Sequence, residues 1–81
     1  MARLSGAPLK FVIDRSYRRF SKEKAEHHAA EIVQAAEHAG ITRFEGSVRR
    51  LGSALLEITI EPAEHGTEVS HRAIARWLYE L

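Results

Sequence analysis

The sequence contains no cysteine among its 81 residues. Disulfide bonds, thiolate metal sites and cysteine nucleophiles are therefore excluded. No apolar run is long enough to cross a bilayer, and the N-terminus lacks the apolar segment of a signal peptide. We therefore expect a cytoplasmic protein that does not associate with a membrane.

The sequence also carries little excess charge of one sign. Its net charge is only +1, whereas a nucleic-acid-binding domain is usually strongly basic. Charged residues still make up 28% of the chain, which argues against disorder. The length predicts one domain with a small core, because a chain of this size buries roughly 60–65% of its unfolded surface.

Common catalytic motifs are missing as well. The chain has no Gly-x-Ser-x-Gly motif, no P-loop and no glycine-rich dinucleotide turn. Asp14 is the only aspartate, and we interpret it as a surface charge at the end of a strand. We expect no catalytic residue, no small-molecule cofactor and no enzymatic activity.

The histidines offer a weak case for a metal site. His28 and Glu31 match part of an H-x-x-E-H zinc signature, but Ile32 occupies the place of the final histidine. His27, Glu31 and His38 share one helix face at spacings that suit a metal ion. That face is the solvated one, so we interpret it as a polar surface with i, i+4 pairs and predict no metal.

Residues 21–40 form the clearest predicted helix. Ser21 is a good N-cap, and Gly40 is suited to the left-handed position after the helix end. The apolar stripe is mostly alanine, which predicts close packing against a sheet face that supplies larger side chains. Its members are Ala25, Ala29, Ile32, Val33 and Ala36.

Alternating apolar residues predict three strands. The first covers residues 9–15, and residues 43–49 and 55–61 are expected to form a hairpin. Matching the apolar faces of the hairpin leaves residues 51–53 as a three-residue loop. The predicted cross-strand pairs are Phe44–Ile60, Gly46–Ile58, Val48–Leu56 and Arg43–Glu61.

A second helix is predicted near the end of the sequence. Pro62 ends the preceding strand, and residues 64–66 form a turn. We expect Thr67 to cap the helix, with Glu68 in its first turn. Trp77 is the predicted centre of the core. The apolar arc comprises Ala73, Ile74, Trp77, Leu78 and Leu81.

The order of elements is β-α-β-β-α, which predicts an α+β fold. We expect a three-stranded antiparallel sheet with both helices on one face, a ferredoxin-like arrangement that lacks its last strand. Residues 9–81 would form this single domain, and residues 1–8 a flexible N-terminal arm. The outer edge of the first strand would then be open, to be covered by the N-terminal arm or paired with another chain.

Arginines and aromatic residues supply the main candidates for binding. Arg18 and Arg19 lie beside Tyr17 just before the first helix, where guanidinium groups, stacking rings and free N–H groups suit anions. Glutamates share the open sheet face with its cations, which weakens that face as a phosphate site. The candidates for partner or anion binding are Arg15, Tyr17, Arg18, Arg19, Arg49, Arg50, Arg72, Arg76 and Tyr79.

Our leading hypothesis is a small non-enzymatic module that binds proteins, as an accessory subunit or as an inhibitor of a larger partner. Arginine and tyrosine are both enriched at protein interfaces. Self-association through the first strand would use Lys10, Val12 and Asp14. The alternative is a nucleic-acid-binding protein that uses the arginine patch at the start of the first helix and the hairpin tip.

Overall fold

The computed structural model describes residues 8–15 and 21–81. The protein is an α+β structure with two helices and an antiparallel sheet. Nearly all of the predicted arm, residues 1–7, lies outside the described residues. In chain order the elements are β1 (Leu9–Asp14), α1 (Lys22–His38), β2 (Arg43–Arg50), β3 (Leu55–Pro62), β4 (Thr67–Glu68) and α2 (His71–Tyr79).

The sheet has the strand order β1-β3-β2-β4 within the described ranges. β3 lies between β1 and β2 and is antiparallel to both. The fourth strand was not predicted. It pairs with the start of β2, where Thr67 lies opposite Phe44. A strand of two residues is too short to show alternation, so periodicity could not reveal it.

The faces of the hairpin are as predicted, but its register is wrong by two residues. Ile58 lies opposite Val48, and Ile60 lies opposite Gly46. The N–H of Leu51 donates to the carbonyl of Leu55 over 2.9 Å, which encloses residues 52–54. The turn has moved by one residue, and this shifts the register by two and leaves both faces unchanged.

This shift also changes the predicted charge pair at the end of the hairpin. Arg43 lies opposite Glu68 of β4 and not opposite Glu61. Glu61 faces Glu45 instead, so two like charges oppose each other across the strands. Matching apolar faces cannot distinguish these registers, because side-chain direction repeats every two residues.

Helix α1 begins and ends as the sequence predicts. The N–H of Lys24 donates to Ser21 Oγ over 3.1 Å. Gly40 has a φ of 77° and is the residue after the Ala39 C-cap. The alanines of the stripe are fully buried. The closest backbone neighbour of α1 is α2, so these small side chains permit close approach of a helix as well as of the sheet.

The N-cap of helix α2 lies three residues later in the chain than predicted. Ser70 caps it, with its Oγ accepting from the N–H of Ala73 over 3.1 Å. Thr67 was the wrong cap, because it belongs to β4. The N–H of Val69 also donates to the carbonyl of Thr42 over 2.9 Å. Pairing with β2 therefore holds this segment extended until Ser70.

One apolar core joins the inner face of the sheet to both helices. Trp77 was wrongly predicted as its centre, since it is only partly buried. Its ring lies over Gly46, where any side chain would overlap it, and its centroid is 6.0 Å from that of Phe44. The largest fully buried side chains are Ile32, Ile58, Ile60, Ile74 and Leu78.

The helices leave the hairpin tip uncovered. Val48 points to the helix side of the sheet, as Ile58 does, yet 39% of its surface is exposed. Leu51 at the tip is 43% exposed. The outer half of the hairpin therefore extends beyond the helix layer.

Candidate functional site

The outer edge of β1 offers backbone groups for pairing. The N–H of Arg15 donates to the carbonyl of Ala54 over 2.7 Å, and these two residues continue the β1–β3 register. Bonding direction alternates along an antiparallel strand. Phe11 and Ile13 therefore bond toward β3, whereas the backbone groups of Lys10 and Val12 point outward. β1 is the terminal strand, so no strand of the described part pairs with this edge.

The side chains at this edge combine one apolar residue with two opposite charges. Lys10, Val12 and Asp14 are all exposed and lie on the sheet face away from the helices. Val12 is 58% exposed, the highest value for a large apolar side chain in the described residues. A charged residue lies two positions away on either side of it. The predicted edge residues thus lie together on one strand.

The open face of the sheet has no excess of positive charge among its described residues. Lys10, Arg43 and Arg49 lie there as predicted, beside Asp14, Glu45, Glu57 and Glu61. Arg49 Nε lies 3.2 Å from Glu57 Oε1. These two residues lie directly opposite each other in β2 and β3. A phosphate backbone would therefore meet a mixed surface.

The structure separates the two arginines of the hairpin tip. Arg50 points to the helix side and lines a groove of about 360 Å³ together with Arg15. Val48, Leu56 and Leu81 form its apolar walls, and the described residues that line it include no carboxylate side chain. Arg15 Nη1 donates to the Leu81 carbonyl over 3.0 Å. Among the described residues of the predicted patch, Arg15 and Arg50 are brought together here.

The arginines of α2 lie at a different place. Arg72, Arg76 and Tyr79 line a groove of about 730 Å³ between α2 and the start of α1. Lys22 adds a cation, whereas Glu26 and Glu80 add carboxylates. Arg76 Nε lies 3.5 Å from Glu80 Oε2. The groove is therefore of mixed charge, with the exposed ring of Tyr79 at its rim.

Three candidates cannot be placed. Tyr17, Arg18 and Arg19 lie in residues 16–20, outside the described residues. Whether the predicted patch is continuous stays a prediction.

His27 and His38 of α1 are exposed, and His28 is half-buried. His27 Nε2 and His28 Nδ1 lie 3.8 Å and 3.7 Å from the carboxylate oxygens of Glu31. In residues 8–15 and 21–81, no three such side chains converge in a way that could hold a metal ion.

One further strand edge was not predicted from the sequence. Beyond Phe44, the outer edge of β2 continues past the short β4, and Trp77 packs beside it. Gly46 could have indicated this contact, because a glycine inside a strand often marks the close approach of another group.

Comparisons with protein-family models, with curated protein sequences and with solved structures found no match to this chain. Neither helix of the described chain is long and apolar enough to span a bilayer.

Proposed function

We propose that this protein is a non-enzymatic module that binds other polypeptides by strand addition to the outer edge of β1. The observation that carries the proposal is the outward backbone of Lys10 and Val12 at the end of the sheet. In this mode, main-chain hydrogen bonds supply affinity and alternate side chains supply specificity. Val12 offers its outward main-chain groups for hydrogen bonds, and its exposed side chain between two charged residues offers side-chain contacts.

The topology supports the same edge. We infer a ferredoxin-like arrangement without its final strand, with β4 as an addition at the opposite edge. In the complete β-α-β-β-α-β order, the final strand lies beside the first. Here the place beside β1 holds no strand of the described part. A strand from a bound polypeptide would complete the sheet.

The interior supports binding over catalysis. Every buried residue in the described ranges is apolar, and the grooves are open and lie at the surface. An enzyme usually places polar groups in a desolvated pocket, where their reactivity is altered. An accessory subunit or an inhibitor needs only a complementary surface.

Selection from a library of random displayed peptides would test the proposal. Val12→Pro removes the outward N–H but no hydrogen bond to β3, so the fold should survive. We expect peptides selected on the wild type to lose binding to Val12→Pro and to retain it with Val12→Thr, which keeps the N–H. Failure to select any peptide, or equal binding to Val12→Pro, would overturn the proposal.

A second candidate function, nucleic-acid binding, is favoured by one observation. Arg15 and Arg50 converge in a groove whose described lining lacks carboxylate side chains. Labelled oligonucleotides titrated at two salt concentrations would test it. Arg50→Ala should weaken binding and lower the salt slope by about one unit per lost phosphate contact. Arg49→Ala is the matched control, because Arg49 pairs with Glu57 on the other face. Absence of binding at low salt would eliminate this candidate.

A further inference from the structure

We propose that the polypeptide added at the β1 edge is β1 of a second copy, antiparallel, with Val12 opposite the partner's Val12. This inference rests on the proposed function and names its partner. The resulting contact is symmetric, because the same edge is used by both copies. The two sheets would become one continuous sheet across the dimer.

The hydrogen-bond alternation restricts the registers that β1 can adopt with its copy. Outward-bonding residues must oppose outward-bonding residues in an antiparallel pair. Lys10, Val12 and Asp14 belong to this set, because Leu9, Phe11, Ile13 and Arg15 bond toward β3. In a symmetric pair, one residue of the strand must therefore lie opposite the same residue of the partner. The choice of this central residue determines which side chains lie opposite each other.

Centring on Val12 gives the best match of charge. It places Lys10 opposite the partner's Asp14, and the symmetry repeats this pair at the other end. The carboxylate of Asp14 offers roughly four acceptor positions, so this pair is compatible with its other contacts. Opposite charges placed directly across a sheet stabilise the pairing, whereas like charges oppose it.

The neighbouring registers lose this match. Centring on Phe11 would place Asp14 opposite Pro8, whose nitrogen has no hydrogen to donate. Lys10 would then oppose Val12. Centring on Ile13 would place Val12 opposite Asp14 and Lys10 opposite position 16, which lies outside the described residues. Of these three registers, only the one centred on Val12 places Lys10 and Asp14 opposite residues of the opposite charge. It also brings the exposed Val12 side chains of the two copies together.

The pairing also covers apolar surface on the helix side. There, Phe11 would lie across from Ile13 in each half of the dimer, and Phe11 is only partly buried in one copy. The contact is limited to one strand of Leu9–Asp14 from each copy. Because this is smaller than a standard protein interface, we expect a weak dimer whose population rises with concentration.

Sedimentation equilibrium of the full chain would test the self-pairing. Lys10→Glu and Asp14→Lys should each weaken the dimer by at least about tenfold, because each turns two attractive pairs into like-charged pairs. An equimolar mixture of the two variants should associate again, since each charge then meets its opposite. Val12→Pro should abolish the dimer, whereas Val12→Thr should largely retain it.

Disulfide trapping provides a readout that does not depend on the charge variants. The chain has no native cysteine, so Val12→Cys can crosslink only to its own copy. The paired Cα atoms would be about 5.5 Å apart, within the range of a disulfide. We expect rapid crosslinking of Val12→Cys and little of Val48→Cys, which is exposed on β2.

The outcomes separate the two proposals. A chain that stays monomeric and does not crosslink at Val12, while selected peptides still require the Val12 N–H, would refute self-pairing and leave strand addition intact. A dimer insensitive to Val12→Pro would refute self-pairing through β1, and peptides that bind Val12→Pro as well as the wild type would refute strand addition. A dimer that needs the Val12 N–H but does not re-form in the mixture of charge variants would show that the register is wrong.

Discussion

Gly46→Ala tests the contact that positions α2 over the sheet. A Cβ built on Gly46 falls within 3.0 Å of three atoms of the Trp77 ring, so the indole must tilt away. Overpacking of this kind costs about 1–3 kcal/mol. The loss of a flexible glycine from the unfolded chain offsets about 0.4–1 kcal/mol of that cost. We expect a net loss of stability of about 1 kcal/mol, or roughly 4–8 °C in Tm for a domain of this size.

The assay is urea unfolding followed by fluorescence, because Trp77 is the only tryptophan and reports directly on the contact. Gly52→Ala is the matched control, since a Cβ there meets no atom within 4 Å, and its stability should be unchanged or higher. In the background of Trp77→Leu, followed by circular dichroism, Gly46→Ala should cost less, which gives a non-additive cycle. An equal cost of Gly46→Ala with Trp77 and with Leu at position 77 would refute the placement of the ring.

Three further predictions concern the cap, the core and the hairpin. Ser70→Ala should lower the free energy of unfolding by about 0.5–2 kcal/mol through loss of the α2 cap. If Thr67→Ala had an effect of that size and Ser70→Ala did not, the assigned start of α2 would be wrong. Leu78→Ala should cost about 2–5 kcal/mol in denaturant unfolding, because Leu78 is fully buried and a cavity remains. Arg49→Ala should cost no more than about 1 kcal/mol, since its pair with Glu57 is largely exposed on the arginine side. High salt should shrink that last difference, and a salt-independent loss would argue against an ion pair.

Local signals in the sequence were sufficient for α1. The cap at Ser21, the glycine after the end and the alanine stripe all act within a few residues, so tertiary context has little to override. The faces of β1, β2 and β3 were likewise predictable, because alternation assigns each side chain to one side.

Features set by distant partners were not predictable in the same way. The hairpin register depends on which residues enclose the turn, and shifts of two residues keep the faces the same. Thr67 and Ser70 are both suitable caps, and pairing of Thr67 with Phe44 decides between them. Trp77 was placed by its size, whereas its position follows from the gap above Gly46.

The candidate sites also differ in whether local sequence or distant contacts determine them. Lys10, Val12 and Asp14 lie together because they share one face of one strand, and their role in pairing stays a prediction. The arginines were grouped by proximity in sequence, but Arg49 and Arg50 point to opposite faces of β2. Convergence of Arg50 with Arg15 depends on how the hairpin end lies against the end of β1, which only the fold shows.

The uncovered half of the hairpin also sets a limit on how cooperatively the protein unfolds. Val48 and Leu51 are already partly exposed, so opening of the hairpin end costs less burial than opening of the core. Amide hydrogens there should exchange through local opening at a lower free energy than those around Ile58 and Ile60. The same independence makes the turn around Gly52 and Ser53 a suitable place to insert a short reporter peptide, since exposed loop tips tolerate insertion when the backbone beneath them is already paired.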